Sequence, residues 1–152
     1  MRILILDDEE PIVHMLAKVC EKEGHTVSAF TQSVDVFIHL ASEPVDLLIT
    51  DMHMPELDGV TVIREARRLQ PHLFTLIITG HTSSYPIEDL LADGTADIMF
   101  KPFHVIELRT RLALCERRRK LITSLHDEKN ALHAASRETN RGLENELAQR
   151  KA

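Results

Sequence analysis

The chain has no tryptophan, one tyrosine, five glycines and two cysteines in 152 residues. Cys20 and Cys115 show neither CxxC nor metal-ligand spacing, which argues against a disulfide framework and fits a reducing compartment. No apolar run approaches the roughly 20 residues that a membrane-spanning helix needs. The first residues lead directly into a strand pattern, not a secretory leader. These absences lead us to expect a cytoplasmic protein with no membrane partner. The turn after the first apolar run is Asp7-Asp8-Glu9-Glu10-Pro11. With no glycine there, and with charge that repels phosphate in the absence of a metal, it excludes a dinucleotide-binding turn.

Charge is unevenly spread. Residues 1–103 hold 7 Lys/Arg against 17 Asp/Glu, whereas the remainder holds 11 against 7. This break points to two segments with different tasks, or to no more than a solvated basic helix. We expect residues 1–115 to form one domain and residues 116–152 a helical extension or linker.

Five apolar runs recur along the first segment: Ile3 to Leu6, His25 to Phe30, Val45 to Thr50, Phe74 to Thr79, and a weaker Ala96 to Phe100. Several are almost continuously aliphatic and rich in β-branched residues, as strands covered on both faces are. Between them lie helical patterns over Pro11 to Glu23, Val34 to Ala41, Gly59 to Leu69 and Pro86 to Ala92. The order predicts an α/β fold: a doubly wound, five-stranded parallel sheet with right-handed crossovers. A fifth helix should start near His104 and run to about Arg150, interrupted only by Gly142. Some 45 helical residues span roughly 65–70 Å at 1.5 Å per residue, too long to be buried against one small sheet. Taking Leu114, Leu121, Glu128 and Ala135 as d positions puts Arg118, Leu125, Leu132 and Thr139 at a. This is a weak heptad seam with polar intrusions. It points to a dimerising or signal-transmitting coiled coil, or else to a frayed linker.

Ligands of such sheets bind beyond the carboxyl ends of the strands. There the sequence places Asp7 and Asp8 after strand 1, Asp51 after strand 3, Thr79 at the end of strand 4 and Lys101 after strand 5. Three crowded carboxylates repel one another, and a hard cation relieves them. Mg²⁺ takes oxygen ligands, and it favours one or two carboxylates, water and a phosphate oxygen. Asp51 is then a candidate nucleophile for an acyl phosphate. Mg²⁺ and Lys101 would neutralise charge on the phosphoryl oxygens, and Thr79 would offer them a hydroxyl.

Together, Leu6-Asp7-Asp8-Glu9, Thr50-Asp51-Met52-His53-Met54-Pro55-Glu56-Leu57-Asp58-Gly59, Ile78-Thr79-Gly80 and Lys101-Pro102-Phe103 resemble the receiver domains of two-component response regulators, over about residues 1–115. The flavodoxin-like fold is the one expected above. The resemblance implies that Asp51 is phosphorylated from a phosphohistidine on a sensor histidine kinase or phosphotransfer protein. It implies Mg²⁺ held by Asp8, Asp51 and the backbone carbonyl of His53, with Asp7 acting mainly through water, and a cis Lys101–Pro102 peptide. Asp58 is expected to cap the third helix.

Some positions depart from that pattern. Receivers couple activation to an aromatic on strand 5, three residues before the lysine; here Ile98 stands there, stiff and smaller. Phe100 lies on the same face, nearer the lysine, and is read as core. His53 and His81 occupy positions resembling those that tune acyl-phosphate lifetime. They contact the phosphoryl group, gate water, bind a transition metal together, or are simply exposed imidazoles. Asp97, Glu107 and Arg111 match a dimer face formed by helix 4, strand 5 and helix 5. Ile87 replaces the basic residue expected on helix 4, and a salt bridge within one chain is the competing reading. The chain is expected not to be an enzyme beyond slow self-dephosphorylation. The alternative function is a degenerate receiver, a phosphorylation-independent interaction module. DNA binding by the short run Arg117-Arg118-Arg119-Lys120 is not expected beyond a nonspecific, salt-sensitive attraction.

Overall fold

The computed structural model describes residues 1–80, 88, 91 and 96–151. The expected fourth helix lies outside these residues apart from Glu88 and Leu91, both helical, and His81 and Ile87 lie outside them as well. The chain divides into two compact units, Met1–Cys115 and Glu116–Ala152.

In the first unit, β1 (Arg2–Leu6), β2 (Thr26–Phe30), β3 (Leu47–Asp51), β4 (Phe74–Thr79) and β5 (Ala96–Phe100) form one sheet in the order β2-β1-β3-β4-β5. Every pairing is parallel. Side chains alternate across the sheet, so each aliphatic run feeds two cores. Ile3, Ile5, Ile49, Leu76, Ile78 and Met99 meet Val13, Leu16 and Cys20 of α1 (Glu10–Lys22) together with Leu108 and Leu112. On the other face Leu4, Leu6, Leu48, Ile77 and Ile98 meet α2 (Ser33–Ser42) and α3 (Gly59–Leu69). Burial of both faces explains why the strands read as continuous apolar runs.

Local chemistry sets the helix ends. Pro11 sits in the first turn of α1, where a missing N–H costs nothing. That helix stops at Gly24, whose φ of 86° suits a residue without Cβ. Asp58 caps α3 as expected, accepting from Thr61 N–H at 2.7 Å. At its other end, Gln70 accepts from Val45 N–H at 2.9 Å and donates to the carbonyls of Leu40 and Glu43 at 2.9 and 2.7 Å. This amide satisfies backbone groups that the α2–β3 connection would otherwise leave unpaired.

The last helix runs over Val105–Lys151, and Leu108 and Leu112 are buried in the first unit. In the second unit, residues 116–151 are helical throughout, Gly142 included. Leu121, Leu125, Leu132, Leu143 and Leu147 there are all exposed.

Candidate functional site

Parallel pairing brings the strand ends together. Leu6 of β1 is level with Thr50 of β3, so Asp7 and Asp51 follow side by side. Asp51 is level with Ile78, which puts Thr79 next to it, and Thr79 is level with Phe100, just before Lys101. Asp7, Asp51 and Thr79 are buried, whereas Asp8 is exposed. Carboxylate oxygens of Asp7, Asp8 and Asp51 all lie within 4.8 Å of one another.

Lys101 closes the site from β5. Its Nζ lies 3.3 Å from Asp7 Oδ2 and 3.6 Å from Asp51 Oδ1. Its backbone N–H donates to the Thr79 carbonyl at 2.8 Å, and the Lys101–Pro102 peptide is cis. Asp7 also accepts from the Glu9 N–H at 2.9 Å. Burial nonetheless raises its pKa above the usual carboxylate value; the Glu9 N–H and Lys101 oppose this, and the Asp51 charge adds to it. One ammonium and one amide therefore do not fully compensate the acid pair. The shortfall is in positive charge, and the available donors are all oxygen. That combination fits a hard divalent cation such as Mg²⁺.

The backbone beneath Asp51 is tightly held. Met52 N–H donates to the Ile78 carbonyl at 3.2 Å, and Gly59 N–H donates to the Met52 carbonyl at 2.8 Å. A Cβ on Gly59 would collide with the Asp51 carbonyl oxygen and stand 3.0 Å from Met52 Cα. Gly59 belongs to the motif quoted above, yet its packing role requires knowing which backbone it faces.

The other candidates are more dispersed. His53 is exposed in the loop after β3, and His81 is outside the described residues. Ile98 is buried among the side chains facing α2 and α3. Phe100, read as core, is instead 42% exposed at the end of β5. Arg111 Nη1 contacts both carboxylate oxygens of Asp97 at 2.8 and 2.9 Å within one chain, and its Nη2 lies 4.0 Å from Glu107 Oε1. Asp97 Oδ1 also accepts the backbone N–H of Ile98 at 2.9 Å. No helix among the described residues is long and apolar enough to cross a membrane.

Comparison with known proteins agrees with this geometry. Residues 3–113 match the response regulator receiver domain family. The chain is 36% identical over 107 residues to the response regulator receiver protein CpdR of Brucella abortus, covering 70% of this chain and 89% of that protein. It is 27% identical over 134 residues to the C4-dicarboxylate transport transcriptional regulatory protein DctD of Rhizobium meliloti, covering 88% of this chain but only 29% of the regulator. Among solved structures, a response regulator receiver domain protein from Clostridium thermocellum superposes with a TM-score of 0.68 at 28% identity, covering 80% of this chain and 98% of that one. A CheY-like receiver from Methanospirillum hungatei, at 23% identity and a TM-score of 0.69, shares the fold. With its five-stranded parallel sheet and its acids gathered at the strand ends, the chain belongs to the response regulator receiver domain family.

Proposed function

We propose that residues 1–115 are a phosphorylation switch with Asp51 as phosphoacceptor, and that residues 116–152 carry its output. The reading rests on one observation: Lys101 Nζ stands between Asp7 and Asp51, 3.3 and 3.6 Å away, across three strand ends. In the proposed reaction an Asp51 carboxylate oxygen attacks the phosphorus of a phosphohistidine on a sensor kinase or phosphotransfer protein. A P–O bond forms as the P–N bond breaks, and the imidazole leaves with its electron pair. Asp8, Asp51 and the His53 carbonyl would hold Mg²⁺, with Asp7 acting through water. The bound cation would supply charge neutralisation at the phosphoryl oxygens. Lys101 and the Thr79 hydroxyl take up the remaining oxygens, and little else is needed, since phosphoryl transfer depends mainly on positioning and electrostatics. His53 is an accessible neighbour that tunes acyl-phosphate lifetime, in company with His81.

Phosphorylation would shift a pre-existing equilibrium, and association of two chains through the second unit is the output. With Ile98 buried where receivers carry a switching aromatic, coupling through β5 proceeds without aromatic rotation. The transcriptional role in the name of DctD belongs to a protein of which this chain spans 29%. Its relevance here depends on an effector partner.

Intact-mass measurement after incubation with acetyl phosphate and Mg²⁺, with light scattering on the same samples, tests the reading. Wild type should gain one phosphoryl group and Asp51→Asn none. An adduct with no change in size would move the output to a separate effector. No adduct on wild type, under conditions that modify another receiver, would leave a phosphorylation-independent interaction module.

A further inference from the structure

The exposed leucines of the second unit carry a regularity that a heptad does not capture. Leu121, Leu132 and Leu143 recur every eleven residues. Leu125 and Leu147 stand two such steps apart, with Ser136 midway between them. At roughly 100° per residue, these five leucines and Ser136 fall within an arc of about 80°. The leucines are 54–72% exposed, so this stripe has no partner within the described chain. Ile122, 53% exposed, widens one edge. A strict heptad instead passes through Ala135, Gly142 and Glu146, and leaves Leu143 and Leu147 off the seam. Seven residues fall about 20° short of two turns and eleven run about 20° past three. An eleven-residue period therefore gives a straight or slightly right-handed pair, not a left-handed supercoil.

Charge identifies the occupant and its direction. One rim of the stripe carries Glu128 and Glu146; the other carries Lys151, with Lys129 at the edge of the stripe itself, in line with Leu147. Arg117 on the acidic side and Glu144 on the basic side are exceptions. Arg118 and Arg150 also stand in line with the stripe, Arg118 before Leu121 and Arg150 after Leu147. In a parallel two-fold pair the left rim of one helix runs along the right rim of the other, so acid meets base. Glu128 then lies beside Lys129 of the second copy, and Glu146 near Lys151. An antiparallel pair sets left rim against left rim, acid against acid. Rim charges of this kind set orientation in paired helices. Between the apolar layers, Ser136 and Thr139 lie within the arc as a neutral polar layer. In register, each faces its own counterpart, and a polar layer inside an apolar seam fixes register at some cost in stability.

We propose that the second unit binds a second copy of itself, parallel and in register, along this eleven-residue stripe. The inference rests on the homodimer reading above and adds its register and direction.

Two adjacent small residues separate the periodicities. Ser136 lies on the eleven-residue stripe and Ala135 on the heptad. In the full chain, Ser136→Lys should weaken dimerisation at least ~10-fold by sedimentation, because it buries an unpaired ammonium in each copy. Ala135→Lys, on the acidic rim in line with Arg117, should weaken it by no more than about 3-fold, as an exposed rim charge does. Ser136→Leu should tighten the dimer at least ~10-fold, since it adds an apolar side chain to the seam from each copy. Dissociation by Ala135→Lys, equal behaviour of the two lysine variants, or no tightening by Ser136→Leu overturns the register while the dimer stands. A wild type that stays monomeric at every concentration, with and without acetyl phosphate and Mg²⁺, removes both the dimer and the register. Direction is read from a nitroxide on Ala148→Cys in a Cys115→Ser background, with Cys20 buried. Paired helices lie about 10 Å apart, so a parallel dimer gives a label-to-label distance below about 30 Å. An intact dimer without that short distance overturns the parallel arrangement.

Discussion

Gly59 leaves no room for a side chain beside the backbone carbonyl of Asp51. The first residue of α3 and the last of β3 are thus packed backbone to backbone, and the candidate phosphoacceptor is positioned from below.

Gly59→Ala therefore forces the β3 end or the α3 start to move. The expected loss of stability is about 1–3 kcal/mol, the range for overpacking a tight site, together with slower acyl-phosphate formation. Urea melts and intact-mass time courses check this. An unchanged midpoint would show that the contact relaxes freely.

Asp7 is a net liability to the metal-free fold, because burial outweighs its compensation by the Glu9 N–H and Lys101. Asp7→Asn should raise the melting temperature in EDTA by a few degrees, and the stabilisation by added Mg²⁺ should shrink. A lower melting temperature in EDTA would mean that the Lys101 contact outweighs the burial.

Asp97 and Arg111 are joined within one chain, with side chains 31% and 35% exposed. A double-mutant cycle with alanine should give a coupling of about 0.5–1 kcal/mol, as for other partly exposed pairs. Neither single variant should dissociate a dimer. Dissociation on sizing would return the pair to an interface between protomers.

Cys20 supplies the pH dependence. Burial pushes its thiol up from 9.0 to about 12. The unfolded chain thus gives up this proton before the folded one does. The contribution is fully present below pH 9.0 and is lost as pH rises toward about 12, with a slope of at most ~1.4 kcal/mol per pH unit. Replacing Cys20 by Ala should flatten that limb of the stability–pH curve. In native protein a thiol reagent should modify the half-buried Cys115 first, and Cys20 only at the rate of unfolding.

Most of the sheet was legible because both of its faces are buried, which makes aliphatic runs the dominant signal. The acids, Thr79 and Lys101 were legible because parallel strands deliver their ends to one edge. Gln70 was not: a glutamine after a helix reads as surface, and only the tertiary fold brings the carbonyls of Leu40 and Glu43 to it. Phe100 was misplaced because alternation gives a face but says nothing about how an edge strand is covered. The Asp97–Arg111 spacing is the same for a bond within a chain or between two. Heptad and eleven-residue seams share their steps of three and four over any two turns, so a short window does not separate them.

The carboxylate of Asp97 does one thing more. Among the described residues β5 ends the sheet, and an edge strand offers its outward N–H groups to any extended segment that drifts by. Asp97 Oδ1 already accepts the Ile98 N–H, and Arg111 clamps that same oxygen. A stray strand would find this donor taken and a guanidinium–carboxylate pair beside it. At Ile98 the edge is thus guarded against strand recruitment, and loss of Asp97 should show as aggregation on prolonged storage before it shows as unfolding.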